Sequence, residues 1–103
     1  MRVSLDFNDT FNTFRGKTLA QQLIAQGDDV YIVTRLNEAN RPSVERYVRT
    51  SGINIPSNKI HFTNGALKYD KLRRLGIRRH YDNNPTEIEA IRKFAPEIRA
   101  IKF

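Results

Sequence analysis

Apolar and polar positions along this chain switch between two periods: short runs of strand type, and longer stretches with helical spacing. MRVSLDF is a brief apolar run that predicts a first strand, and TFRGKTLAQQLIAQG follows with Leu19, Leu23 and Ile24 at helical spacing and a stop at Gly27. DVYIVTR is β-branched and aromatic and too short for a helix, so it predicts a second strand. NRPSVERYVRTSG sets Val44, Tyr47 and Val48 on one helical face before Gly52. INIPSN reads as a loop because Pro56, Ser57 and Asn58 are turn residues, and KIHFT predicts a third strand. ALKYDKLRRLG predicts a helix with Leu67, Lys71, Leu72 and Leu75 along one side, and IRRHY a fourth strand leading into DNNP. PTEIEAIRKFA opens with a proline where helices favour one and lines its buried side with Ile88, Ile91 and Phe94. EIRAIKF closes the chain as a fifth strand.

Strands alternating with helices of about 10–15 residues are the signature of βαβ units and a parallel sheet covered on both faces. The expectation is a three-layer α/β/α, Rossmann-like, doubly wound sheet of about five strands with right-handed connections, one domain over residues 1–103. Ligands of such sheets sit outside the carboxyl ends of the strands. There the sequence places Asp6, Asn8, Asp9 and Thr10 after the first strand, and Thr34 and Arg35 after the second. Thr63 and Asn64 follow the third, with Lys68 opening the next helix, and Asp82, Asn83 and Asn84 follow the fourth.

Two carboxylates, a hydroxyl and a lysine at one edge make coherent chemistry. A carboxylate attacks phosphorus only when the phosphate's charge is neutralised, which Mg²⁺ and a lysine do together. Mg²⁺ takes one or two carboxylates plus water and substrate oxygen, a need Asp6 and Asp82 meet from separate strands. Thr34 would donate its hydroxyl to a phosphoryl oxygen, and Lys68 would balance charge on nucleophile and phosphate.

The order VSLDFNDTF, VYIVTR, Lys68 in GALKYDKLRRLG, then IRRHYDNNP resembles the haloacid dehalogenase-like phosphohydrolase superfamily. That family has an apolar strand followed by D-x-D-x-T, a strand ending in Ser or Thr, a lysine, and a strand ending in an acidic pair. The resemblance implies that Asp6 is the aspartate that becomes phosphorylated and that Asn8 stands where the acid/base aspartate is usual, its backbone carbonyl remaining a Mg²⁺ ligand. It pairs Thr10 with the motif's threonine, Thr34 with the phosphate-binding hydroxyl, Lys68 (or Lys71, one turn on) with the lysine, and Asp82 and Asn83 with the metal-binding pair. Two amides thus replace acids; Asp9 replaces a residue that is usually glycine, and Glu87 is placed to supply an acid from the next helix. Connections are too short for a cap domain, as in members whose substrates are large or whose pocket is closed by a partner chain, a homo-oligomer included. Gly16 is expected to hinge a small flap, with Arg15 and Lys17 facing anionic substrate.

Charge adds one feature and cysteine content another. A net charge of +7 favours phosphate-bearing partners, from nucleotides to nucleic acid. KLRRLGIRRHY concentrates that charge and reads either as a solvated face or as a footprint for a phosphate backbone. His61 and His80 lack metal-ligand spacing and read as structural or surface residues. No cysteine is present, which excludes disulfides and thiolate metal sites. No apolar run approaches the ~20 residues that span a bilayer, so a cytoplasmic protein without membrane contact is expected.

Overall fold

Parallel strands cannot be joined by tight turns and need crossovers of about a dozen residues or more, which the helical stretches supply. The computed structural model describes residues 1–103. Strands β1 (Arg2–Leu5), β2 (Asp29–Thr34), β3 (Ile60–Phe62), β4 (Arg79–Asp82) and β5 (Arg99–Lys102) form one sheet in the order β3-β2-β1-β4-β5, every neighbouring pair parallel. The crossovers carry helices α1 (Phe14–Ala25), α2 (Arg41–Ser51), α3 (Tyr69–Arg74) and α4 (Pro85–Phe94).

Alternation along each strand divides the core between the two faces. Val3, Leu5, Val30 and Ile32 pack with Leu23 of α1 and with Val44 and Val48 of α2. Tyr31, Val33 and Ala100 pack on the other face with Leu72 of α3 and with Ile88 and Ile91 of α4. The sheet is therefore three-layered and doubly wound. The chain runs β1, β2, β3 in one direction, then returns to lay β4 on the free side of β1. Strand order reverses between β1 and β4, so the crevice that binds ligands in such sheets opens at their carboxyl ends.

Between β1 and α1 the backbone makes a compact loop, closed by Phe11 N–H to Asp6 O at 3.0 Å and Asn12 N–H to Phe7 O at 3.0 Å. Asp9 sits in this loop at φ 58, the left-handed region where glycine is most at ease. Phe7 and Phe11 turn inward against Tyr47, with ring centroids 5.5 and 6.2 Å from it. Thr13 caps α1 by accepting the Gly16 N–H at 3.0 Å.

Four local expectations are revised. Phe94 is half exposed rather than buried, resting on Tyr69 at 5.1 Å between centroids. The third helix is shorter than the pattern of ALKYDKLRRLG implies and leaves Leu67 outside it, while β4 runs one residue later, to Asp82. Gly16 is no hinge: it lies inside α1, where a Cβ would stand 1.6 Å from the backbone oxygen of Thr10. Its role is close packing of the helix on the loop.

Gly16→Ala must therefore push α1 off the loop. Urea denaturation should show a loss of at least about 1–3 kcal/mol. A hinge glycine would instead leave the midpoint within a few tenths of a kcal/mol.

Candidate active site

Side chains two apart on a strand share a face. Ser4 and Asp6 on β1 and its end, and His80 and Asp82 on β4, therefore point the same way, and the register sets Ser4 directly across from His80. Ser4 Oγ lies 2.6 Å from His80 Nδ1, and His80 Nε2 lies 2.8 Å from Asp82 Oδ2. Lys68, at the start of α3, then places its Nζ 2.7 Å from Asp82 Oδ2 and 2.7 Å from Asp6 Oδ1. One continuous polar chain, Ser4–His80–Asp82–Lys68–Asp6, runs from the sheet interior to its carboxyl edge.

Burial gives each member a defined state. Asp6 is pushed up to about 6, first by desolvation and then by the charge of Asp82, with the Lys68 ammonium opposing. Burial would raise Asp82 as well, but the hydrogen bond from His80 and the charge of Lys68 outweigh it and hold that carboxyl well below the usual range. Burial keeps His80 below its ordinary value and so neutral at pH 7, against the pull of Asp82. An ionised carboxylate only accepts, so the ring proton is on Nε2, and Nδ1 accepts from the Ser4 hydroxyl. Ser4, His80 and Asp82 are all fully buried. This serine–histidine–aspartate row is a support for Asp82, since no substrate reaches the Ser4 hydroxyl.

Above this chain opens a cleft of about 480 Å³ in which Leu36 is the one hydrophobic lining residue. Asp6, Asn8, Thr34, Arg35, Lys68, Asp82 and Asn83 all line it, as expected, and so do Asp9 and Glu87. Thr34 is 1% exposed and accepts the Leu36 N–H at 3.3 Å. Glu87 Oε1 accepts the Lys68 N–H at 3.0 Å, and its buried Oε2 has no hydrogen-bond partner, with Arg35 Nε 3.6 Å away. Burial raises the Glu87 carboxyl. DNNP is also the helix cap that its composition suggests: Asn84 accepts the Thr86 N–H at 2.9 Å, while Asp82 Oδ1 accepts the Asn84 N–H at 3.0 Å.

Other expected site residues fall elsewhere. Thr10 is fully buried beneath the loop, its carbonyl taken by the Thr13 hydroxyl at 2.7 Å, and does not reach the cleft. Lys17 donates to the Tyr47 hydroxyl at 2.8 Å, and Arg15 lies over the ring of Phe103 at 4.5 Å, because the first turn of α1 directs both away from the cleft. Lys71 lines a separate depression beside Phe62 and Asp70, which leaves Lys68 as the site lysine. Three cations of the basic run are paired, with Arg73 on Glu97 at 2.7 Å, Arg74 on Asp70 at 2.9 Å and Arg79 on Asp28 at 3.5 Å, while Lys71 and Arg78 enter no ion pair.

Ser4 and His80 are the members that motif spacing misses. The signal for them is parity: each stands two residues before an acid that reaches the cleft.

No group of three or more His, Cys, Asp and Glu side chains is disposed round one point as a ready metal cage. The donor set nonetheless suits Mg²⁺, which takes one or two carboxylates and completes its shell with water and phosphate. No helix is long and apolar enough to cross a membrane. Comparison with family models, with curated proteins and with solved structures gave no match.

Lys68→Met would leave Asp6 and Asp82 facing each other with no cation between them. The expected loss at pH 7 is about 3–5 kcal/mol in chemical denaturation. Because loss of the ammonium lifts the folded Asp6 further above its wild-type value of about 6, the variant takes up that proton first and the deficit should shrink as pH falls from 7 toward 6. A deficit that is small, or that grows on acidification, would contradict the ion triad.

Proposed function

We propose that this chain is a Mg²⁺-dependent phosphomonoesterase of the haloacid dehalogenase-like type, acting through a phosphoryl group carried on Asp6. The observation that carries the reading is the Lys68 ammonium 2.7 Å from both Asp6 and Asp82, at the floor of a polar cleft where strand order reverses. Nucleotides and nucleic-acid ends suit a protein with net charge +7.

Asp6 acts as its carboxylate. One of its oxygens attacks phosphorus, the bond to the substrate alcohol breaks, and the phosphoryl group rests on Asp6. Water then attacks that phosphorus, releasing inorganic phosphate and restoring the carboxylate. Lys68 stabilises charge on Asp6 and on the phosphoryl oxygens, Thr34 donates its hydroxyl to one of them, and Arg35 supplies a second cation at the rim. Asp6, Asp82, the Asn8 carbonyl and the Asn83 side chain would hold Mg²⁺, with Glu87 Oε2, which accepts no hydrogen bond, as a further donor. Bound there, the ion would neutralise phosphoryl charge.

Asn8 sets the rate. Its amide neither gives a proton to the departing alcohol nor takes one from water, so solvent performs both transfers, and the lost catalysis is worth about 10²–10⁴ in rate. The two amides Asn8 and Asn83 favour a second reading, in which the fold is kept as a binding module for nucleic acid or a protein partner and turnover is absent.

Release of phosphate from an aryl phosphate separates the two. The phosphatase reading requires Mg²⁺-dependent release that Asp6→Asn abolishes; a wild type indistinguishable from Asp6→Asn leaves the binding module. Asn8→Asp should raise hydrolysis of alkyl and aryl phosphates alike by about 10²–10⁴, because both must pass through water attack on the phosphoryl group of Asp6.

A further inference from the structure

A second groove, of about 370 Å³, lies between the start of α1 and the carboxyl ends of β4 and β5, and its chemistry is the opposite of the cleft's. Its walls are Phe14, Leu19, Tyr81, Ile101 and Phe103, with Arg15 and Lys102 beside them and no acidic side chain. Phe14 is 83% exposed at the first turn of α1, where nothing in the fold requires an aromatic ring. Arg15 presents its guanidinium over Phe103, and neither Arg15 nor Lys102 enters an ion pair, whereas Arg73, Arg74 and Arg79 each face a carboxylate.

Groove and cleft share a backbone wall. The Tyr81 carbonyl accepts the Asp6 N–H at 2.9 Å, and the Phe103 N–H donates to the Asp82 carbonyl at 2.7 Å. A ligand whose phosphate lies on Asp6 and Lys68 thus has the groove immediately across the carboxyl edge of β4. Rings for stacking with cations for phosphate are what single strands need from a protein. A second copy is a poor occupant: antiparallel pairing through the β5 edge would set Arg99 against Lys102, and like charges directly opposite are unfavourable.

We propose that this groove binds the terminal bases of a single-stranded nucleic acid whose end phosphate lies in the cleft. The site rests on the phosphate reading of the cleft, and adds to it the class of molecule that carries the phosphate. Bases stack on Phe14 and on the Arg15–Phe103 pair, and Lys102 meets the backbone.

The test is equilibrium binding, by fluorescence anisotropy at low salt with Mg²⁺ withheld so that no phosphate is released, of thymidine hexamers phosphorylated at the 5′ or the 3′ end and labelled at the other. Matched hexamers without bases and without the terminal phosphate complete the set. Removing the bases should weaken binding about tenfold, Phe14→Ala should cause the same loss, and Phe14→Ala should leave the base-free hexamer unchanged. Loss of the terminal phosphate should weaken binding independently of Phe14; if it has no effect, the phosphate reading of the cleft fails while the groove stands. The groove proposal is overturned if bases make no difference, if Phe14→Ala weakens both hexamers alike, or if no hexamer binds. It is equally overturned if an acidic phenylalanine-containing peptide binds in a Phe14-dependent way and the hexamers do not.

Discussion

The Lys68 ammonium, held between Asp6 and Asp82, is the contact on which the rest of the site depends. It joins the ends of β1 and β4, the two strands between which the winding reverses, to the start of the third helix. Without it, two carboxylates would stand desolvated against each other. With it, each has an opposite charge at hydrogen-bond distance, and the edge of the sheet keeps a fixed shape. Glu87 extends the arrangement by binding the backbone N–H of Lys68 itself, so the lysine is held at both ends.

This contact also separates the two carboxylates in character. Asp82, backed by His80 and Ser4, is a permanent anion locked in place. Asp6, with a single strong partner and a raised pKa, is the one whose charge responds to its surroundings. Environments that push two acids apart assign them different tasks. In the proposed reaction the fixed acid would hold the metal and the responsive one would attack. The buried row behind Asp82 explains why the sheet interior tolerates a histidine: every polar atom in the row has a partner, and the ring stays neutral.

Much of this was legible in the sequence because strands and their ends follow simple periods. The five strands, four helices and parallel sheet follow from apolar spacing and glycine stops, and Asp6, Thr34, Lys68 and Asp82 follow from a rule about strand ends. What periodicity misreads is short-range packing. Thr10 looks like a site hydroxyl by spacing, yet the loop after β1 closes tightly enough to bury it. Gly16 looks like a hinge because it is a glycine beside polar residues, yet it is required by a neighbour six positions back. Arg15 and Lys17 look like substrate-facing cations, yet the first turn of α1 sends them to Phe103 and Tyr47. His80 looks isolated in the sequence because its partner Ser4 lies on another strand, which register brings within 2.6 Å.

Asp6 is the centre of this account, and its chemistry can be observed directly. Because Asn8 cannot activate water, a phosphoryl group on Asp6 should outlive its formation. Mass spectrometric mapping of protein quenched in acid, after incubation with Mg²⁺ and an aryl phosphate, should find that group on the peptide that carries Asp6, with none in Asp6→Asn. Turnover with no phosphorylated peptide, or with the phosphoryl group on Asp9 or Asp82 instead, would contradict it.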